Sequence, residues 1–297
     1  MTQQPDILCI GSVLWDVIGR AASHMRVGSD VPGRIRRLPG GVAMNIAMTL
    51  HGFGMRPALL SAVGRDAEGE ELVTEAQRMG LICDHLYRSD DLPTDVYMAI
   101  EGANGLVAAI ADAHSLEAAG EKILQALRDG TLGSAEVPFD GPVALDGNLT
   151  EELLQTIATS PLFAKADLRV APASPGKAAR LLALMGHPTA TLYVNLEEAG
   201  LLCRTEFATS YDGAAGLLAR GAHRVLVTDG GNAAAEGTDG DIISHTPPAV
   251  MVTRVTGAGD TFMAAHIALE AQGMDRASAL TRASNAAATY VSGETPL

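Results

Sequence analysis

The chain has 297 residues, a formal charge of −14 and a pI near 4.9. That length suits one α/β domain with a small appendage. A polynucleotide partner is not expected, because binding a phosphate backbone requires a basic stripe and the sequence contains none.

Cys9, Cys83 and Cys203 are odd in number, widely spaced and set among apolar residues. They read as buried thiols of a reducing compartment, with no zinc-ligand spacing. Residues 1–6 carry no basic run, and the apolar stretch after them is too short to span a bilayer. A cytoplasmic protein with no membrane partner is expected.

In chain order, residues 7–11 form a short apolar run closed by Gly-Ser, which predicts a buried first strand. From about 17 to 38 helical periodicity is lost, and Gly19, Gly28, Pro32 and Gly33 punctuate alternating residues, predicting exposed strands and turns. Helical spacing over 43–53 and 67–79 brackets a buried strand at 59–63. A second open stretch covers 94–111, where 95–100 and 106–110 flank 101–105 as a hairpin. Helical segments 116–128, 151–158, 213–220, 260–271 and 276–291 are then interleaved with buried strands 143–146, 168–171, 192–195 and 224–228. This alternation predicts a single α/β domain over 1–297, a doubly wound, mostly parallel sheet flanked by helices. The stretches 17–38 and 94–111 predict a small β-lid on it. Ligands of such sheets sit beyond the strand C-termini, and Asp16, Asp146, Asn195 and Thr228 all fall at or just past expected strand ends.

Near the C-terminus, Thr256-Gly257-Ala258-Gly259-Asp260 runs straight into an apolar helix. The N–H groups of Gly257, Ala258 and Gly259 would be unpaired donors at a helix N-terminus, where the macrodipole also favours a transferring phosphate. Asp260, beside that anion hole, is placed to accept a proton from a substrate hydroxyl. A tight loop whose Asp260 merely complements the helix dipole is the alternative reading. Far upstream, Pro39-Gly40-Gly41-Val42-Ala43-Met44-Asn45 opens a second apolar helix, and between the two motifs stands Asn195-Leu196-Glu197-Glu198.

In this order the three motifs resemble the ribokinase-like (PfkB) family of sugar and nucleoside kinases, over essentially the whole chain. The resemblance implies a ribokinase-like fold and phosphoryl transfer from ATP with Mg²⁺, Asp260 acting as general base and Gly257, Ala258 and Gly259 as the anion hole. It implies that Asp16 binds sugar hydroxyls with both oxygens, that Gly40 and Gly41 let the backbone approach the sugar, and that Asn45 reads a further hydroxyl. Asn195 would lie near the phosphates and Glu198 would help hold the water shell of Mg²⁺, although a charge in a helix first turn is also ordinary. Thr228-Asp229-Gly230-Gly231 resembles the nucleotide loop, with Thr228 and Gly230 at ATP and Ala233 where a second Gly is expected. Asn285 matches a position near the adenine, or is a helix-packing amide.

Arg254 stands six residues before Asp260, where potassium-dependent members of the family carry an Asp. A cationic side chain cannot ligate a cation, so either the usual potassium site is absent or the guanidinium partly replaces the ion. The two hairpin-like stretches are too short for a core of their own, so a homodimer through the lid is expected. Residues 32–36, 60–66, 106–112, 146–152 and 172–177 resemble the pseudouridine kinase branch of the family, from which Ala171 and Met44 depart. The reading is therefore phosphorylation of a ribose-type hydroxyl, pseudouridine to its 5′-phosphate. A ribokinase- or fructokinase-type sugar kinase and a catalytically silent sugar or nucleoside sensor are the alternatives.

Overall fold

In the computed structural model, which describes residues 4–293 apart from Val27 and Asn104, the first strand shows how the sequence divides into layers. β1 (Ile7–Ile10) is fully buried, with Ile7 and Cys9 in one apolar cluster and Leu8 and Ile10 in the other. Alternation with period two on a strand covered on both faces produces this split. The chain continues through β2 (Leu14–Arg20), β3 (Arg34–Gly40), α1 (Val42–Gly52), β4 (Pro57–Leu60), β5 (Ala62–Gly64), α2 (Ala67–Arg78) and β6 (Tyr87–Ser89). Next come β7 (Val96–Gly102), β8 (Gly105–Asp112), α3 (His114–Ala119), β9 (Pro142–Asp146), α4 (Glu151–Thr159), β10 (Asp167–Ala171) and β11 (Thr191–Asn195). The last elements are α5 (Leu196–Cys203), α6 (Ser210–Ala219), β12 (Arg224–Thr228), β13 (Ala234–Thr238), β14 (Asp241–His245), α7 (Ala258–Ala271) and α8 (Arg276–Ser292).

The main sheet has eight strands in the order β14-β13-β12-β11-β10-β9-β1-β4, parallel from β12 to β4 and antiparallel at β13 and β14. Residues of α4, α5 and α6 fill one face, and residues of α1, α7 and α8 fill the other. This is the mostly parallel, helix-flanked sheet expected from the sequence. A separate four-stranded sheet, β3-β2-β7-β8, stands beside it. No helix among the described residues is long and apolar enough to cross a membrane. The three cysteines are free, and burial pushes the Cys83 thiol up to about 12.

Four local expectations are corrected. Asp16 does not follow the end of β1 but lies inside β2, opposite Leu38 and Tyr97, so it hangs from the small sheet. The strand expected at 59–63 divides after Leu60, because Ala62–Gly64 leaves the main sheet to pair with β6. The helix expected over 116–128 ends at Ala119, since Gly120 adopts a φ of 51° and residues Gly120–Leu127 wind as a 3₁₀ helix. β13 and β14 were not anticipated: Ala234-Ala235-Glu236-Gly237-Thr238 has no strand-forming side chain until its last residue, and β14 holds only the Ile242-Ile243 pair between polar residues.

One feature of the α7 layer was also invisible in the sequence. Glu236 is fully buried on β13, and its Oε1 accepts from Arg224 Nη2 at 2.5 Å and from Arg276 Nε at 3.0 Å. Glu270, in the last turn of α7, accepts from Arg224 Nη2 at 2.5 Å and from Arg169 Nη1 at 2.6 Å. His266 lies between them with Nδ1 2.9 Å from the Tyr193 hydroxyl. Glu236, His266 and Glu270 bring ligand-type atoms within 4.8 Å of one another; arginines bond Glu236 Oε1 and both oxygens of Glu270, while Glu236 Oε2 faces His266 Nε2 at 3.4 Å, and the cluster ties α7 to the sheet.

Candidate active site

At the C-terminal edge of the parallel strands a cleft of about 410 Å³ is lined by Asp16, Gly41, Asn45, Asn195, Glu198, Thr228, Gly257, Gly259 and Asp260. Residues far apart in sequence therefore meet where a parallel sheet places its ligands.

The first wall is built on glycines. A Cβ on Gly40 would stand 2.1 Å from Asp16 Oδ2, so only glycine there lets the carboxylate lie against β3. Gly41 caps α1 at a φ of 94°, and a Cβ on it would come within 2.4 Å of Ser12 O. Gly41 lines the cleft, whereas Gly40 lies behind Asp16. The first N–H groups of α1 are taken internally: Val42 N donates to Ser12 Oγ at 2.8 Å and Ala43 N to Asp146 Oδ2 at 3.2 Å. Asp146 is fully buried and also accepts from Ser12 N at 2.7 Å and Asn148 N at 2.7 Å. It is the hub joining β1, β9 and α1. Sequence reasoning placed Asp146 at a strand end but missed this role, as it missed Ser12; a carboxylate closing a fully apolar strand was the available signal.

The second wall is the start of α7. Gly257 caps it in the left-handed region at a φ of 88°, with no side-chain cap. The N–H groups of Gly257 and Gly259 have no hydrogen-bond partner among the described residues beyond the helix's own bonding, and both residues face the cleft. Ala258 departs from expectation: its N–H donates to Val255 O at 3.1 Å, so it is not an open donor. Asp260 lies in the first turn, and Asn45 Nδ2 donates to its Oδ2 at 2.9 Å across 215 residues of sequence. Burial pushes the Asp260 carboxyl up to about 7, the Asn45 donor works against that, and the charges of Asp146, Asp16 and Glu198 add to it. Asp16 is likewise raised by burial, to about 6.

The third wall is β11–α5 and the end of β12. Asn195 caps α5, its Oδ1 accepting from Glu198 N at 2.8 Å while Glu198 Oε2 accepts from Asn195 N at 2.8 Å. This reciprocal capping box explains the Asn-x-x-Glu spacing locally. It leaves the second Glu198 oxygen without a hydrogen bond among the described residues, in a side chain only 6 % exposed that borders the cleft. Burial raises the Glu198 carboxyl to about 7. Thr228 reaches the cleft from the end of β12. Gly230, at a φ of 53° in the exposed turn beyond it, and Asn285, exposed on α8, are not among the cleft-lining residues.

Open backbone donors at a helix start, a carboxyl held near neutrality beside them and a row of polar strand ends have the chemistry that small-molecule phosphoryl transfer requires. The chain matches the pfkB family of carbohydrate kinases over residues 4–295, and it belongs to that family. It is 29% identical over 273 residues to the pseudouridine kinase of Escherichia coli, a match covering 89% of this chain and 83% of that protein. It is 32% identical over 160 residues to an uncharacterized sugar kinase of the same organism, covering 54% of this chain and 42% of that relative, so it spans less than half of the relative's length. Among solved structures, Arabidopsis thaliana ribokinase complexed with ribose and ATP superposes with a TM-score of 0.78 at 20% identity, covering 97% of this chain and 93% of the other. That likeness establishes the ribokinase-like fold.

Two ions implied by the family differ in fit. The open, cleft-facing oxygen of Glu198 suits a Mg²⁺ ion that retains its waters. The potassium position does not fit: Arg254 donates through Nε to Tyr290 O at 2.8 Å and lies 3.7 Å over the Tyr290 ring. The residue at the sequence position of the expected carboxylate is thus a guanidinium held against Tyr290, which cannot ligate a cation.

Proposed function

We propose that the protein is an ATP-dependent kinase that phosphorylates a ribose-type hydroxyl, with pseudouridine as the substrate and its 5′-phosphate as the product. The observation that carries this reading is the Asn45–Asp260 hydrogen bond beside the open N–H groups of Gly257 and Gly259. Asn45 engages Oδ2, which leaves Oδ1 of Asp260 for the substrate hydroxyl. Asp260 takes the hydroxyl proton as the oxygen bonds to the γ-phosphorus, and the bond from that phosphorus to the bridging oxygen breaks, releasing ADP. The Gly257 and Gly259 N–H groups stabilise the charge on the transferring group. Thr228 and Asn195 border the phosphates, with Gly230 and Asn285 further out along the nucleotide. Glu198 would hold Mg²⁺ through the ion's water shell, and the bound ion would supply positive charge against the phosphates. Asp16 and Asn45 orient the ribose, with Gly40 and Gly41 giving the room this requires.

Asp16→Ala is expected to weaken nucleoside binding by about 1.5–3 kcal/mol, the range for hydrogen bonds to a charged group, with ATP affinity unchanged. Calorimetric titration reads both, and weakened ATP binding with intact nucleoside binding would place Asp16 in the wrong subsite. Turnover measured across nucleosides and free pentoses and hexoses tests the substrate itself.

The face of the small sheet turned away from Asp16 leaves Ile35, Met98, Leu106 and Ile110 well exposed, an apolar surface that supports a homodimer through the lid. Sedimentation is expected to show a dimer at micromolar concentration. A monomer that keeps full activity would remove that assembly from the mechanism. The free, largely buried cysteines support a cytoplasmic location.

A further inference from the structure

One side chain lining the cleft is cationic, Lys177, against three carboxylates from Asp16, Glu198 and Asp260. It stands half-buried in the 3₁₀ run Pro175–Leu184 that follows β10. Its Nζ donates to Asn148 Oδ1 at 2.5 Å. Asn148 in turn donates through Nδ2 to Ser12 Oγ at 2.9 Å, and Ser12 Oγ donates to Asp146 Oδ2 at 2.8 Å. Each link orients the next. The Ser12 hydroxyl proton is committed to the carboxylate, so its lone pairs take Asn148 Nδ2 and the Val42 N–H, and the Asn148 carbonyl oxygen is left facing Lys177. An ammonium has three donors, and the other two on Lys177 have no partner among the described residues.

Strand order locates this group within the cleft. The ends of β12, β11, β10, β9 and β1 stand in a row at about 4.8 Å spacing. Thr228 and Asn195 close β12 and β11, whereas Lys177 and Asn148 follow β10 and β9. The charges agree with this placement. Asp260 feels Asp146, Asp16 and Glu198, while Lys177 feels Arg180, Asp146 and Glu117. Lys177 therefore lies on the β9 side of Asn195, away from Thr228.

We infer that Lys177, oriented by Asn148, determines specificity by donating to a carbonyl oxygen on the base of a ribonucleoside, at the end of the cleft remote from the transferred phosphate. The inference rests on the nucleoside kinase reading above. Leu14, Val42, Ala113 and Pro172 line the same cleft and suit the faces of a flat ring better than the hydroxyls of a second sugar. A free pentose would leave the two Lys177 donors to water and gain nothing from them, which favours a carbonyl-bearing nucleoside over it.

The test measures kcat and KM of the wild type, Lys177→Met and Lys177→Arg on five acceptors: pseudouridine, uridine, a phenyl C-ribonucleoside without carbonyls, ribose and a sugar acid. Lys177→Met is expected to cut kcat/KM for pseudouridine roughly 10- to 100-fold, mainly through KM, so that its preference over the phenyl analogue shrinks towards unity. Lys177→Arg is expected to restore part of that preference. Equal losses on the carbonyl-bearing and phenyl acceptors, with a lowered Tm, would make Lys177 a structural residue and overturn the inference. So would a wild-type preference for the sugar acid that Lys177→Met abolishes, since the ammonium would then read a carboxylate. A wild type that prefers ribose to every nucleoside would instead defeat the substrate reading. Nucleoside preference untouched by Lys177→Met would defeat only the role of Lys177.

Discussion

Replacing Asp260 by Asn is expected to lower kcat by roughly 10²–10⁴-fold while nucleoside KM stays within a few-fold, because the amide keeps the shape but cannot accept the hydroxyl proton. Steady-state kinetics on the purified variant decide it, and a wild-type kcat would remove Asp260 from the chemistry. The pH dependence follows from the same group. Burial holds the carboxyl up to about 7, so the free enzyme should lose kcat/KM as pH falls through neutrality and approach a plateau above it. Stability runs the other way. The unfolded chain releases this proton near the ordinary 3.8 and the folded chain only near 7, so the folded state binds more protons across that window and loses stability as pH rises. Asp260→Asn does not titrate, so its Tm should exceed that of the wild type by a margin that widens from pH 5 to pH 8. A constant margin would mean that the carboxyl ionises normally.

The second large effect lies at the other end of α7. Arg224→Ala is expected to destabilise the fold by about 3–5 kcal/mol, the cost of leaving a buried charge without its partner. Arg224 bonds both Glu236, fully buried, and Glu270, and its own side chain is 15% exposed, so solvent screens the interaction little. Chemical denaturation measures the loss. A single variant within about 0.5 kcal/mol of the wild type would show the cluster to be solvated.

The two ends of α7 are linked by geometry. Ten residues of helix, about 15 Å, separate Asp260 from Glu270. The cluster at the last turn therefore fixes the axis along which the first turn presents Asp260 to Asn45. A helix without a side-chain cap at its first residue depends on such an anchor to hold its open N–H groups in place.

Legibility differed by residue type. Gly257, Gly41 and Asn45 could be found in the sequence because small residues before an apolar helix have few reasons to be there, and each lines the cleft. Asp260 was read as a base for the same reason. Ala258 was misread as an open donor because its bond to Val255 O depends on the curl of the preceding loop, which residue types do not encode. Asp16 was set on the wrong element, since Leu14 and Trp15 look as much like a loop after β1 as the start of a new strand. Asn195 and Glu198 carried a spacing that fits a capping box and a cleft wall equally well, and the structure assigns both positions to the same pair.

The sequence by itself determined the layered α/β class, because buried strands on a parallel sheet need continuous apolar runs and their covering helices need a 3.6-residue stripe, both visible locally. It also picked out the two glycine-led helix starts that open onto the cleft, at Gly41 and Gly257, since such starts are local features. Only the tertiary structure decided the partners: Asn45 with Asp260, Asp146 with Ser12 and Ala43, Lys177 with Asn148, and Arg224 with Glu236 and Glu270. Strand order sets those pairings, and neighbours in the sheet such as β1 and β9 are more than a hundred residues apart in the chain. A charged side chain looks the same in sequence whether it meets water, a counter-charge or a ligand, and burial across such distances is what distinguishes them.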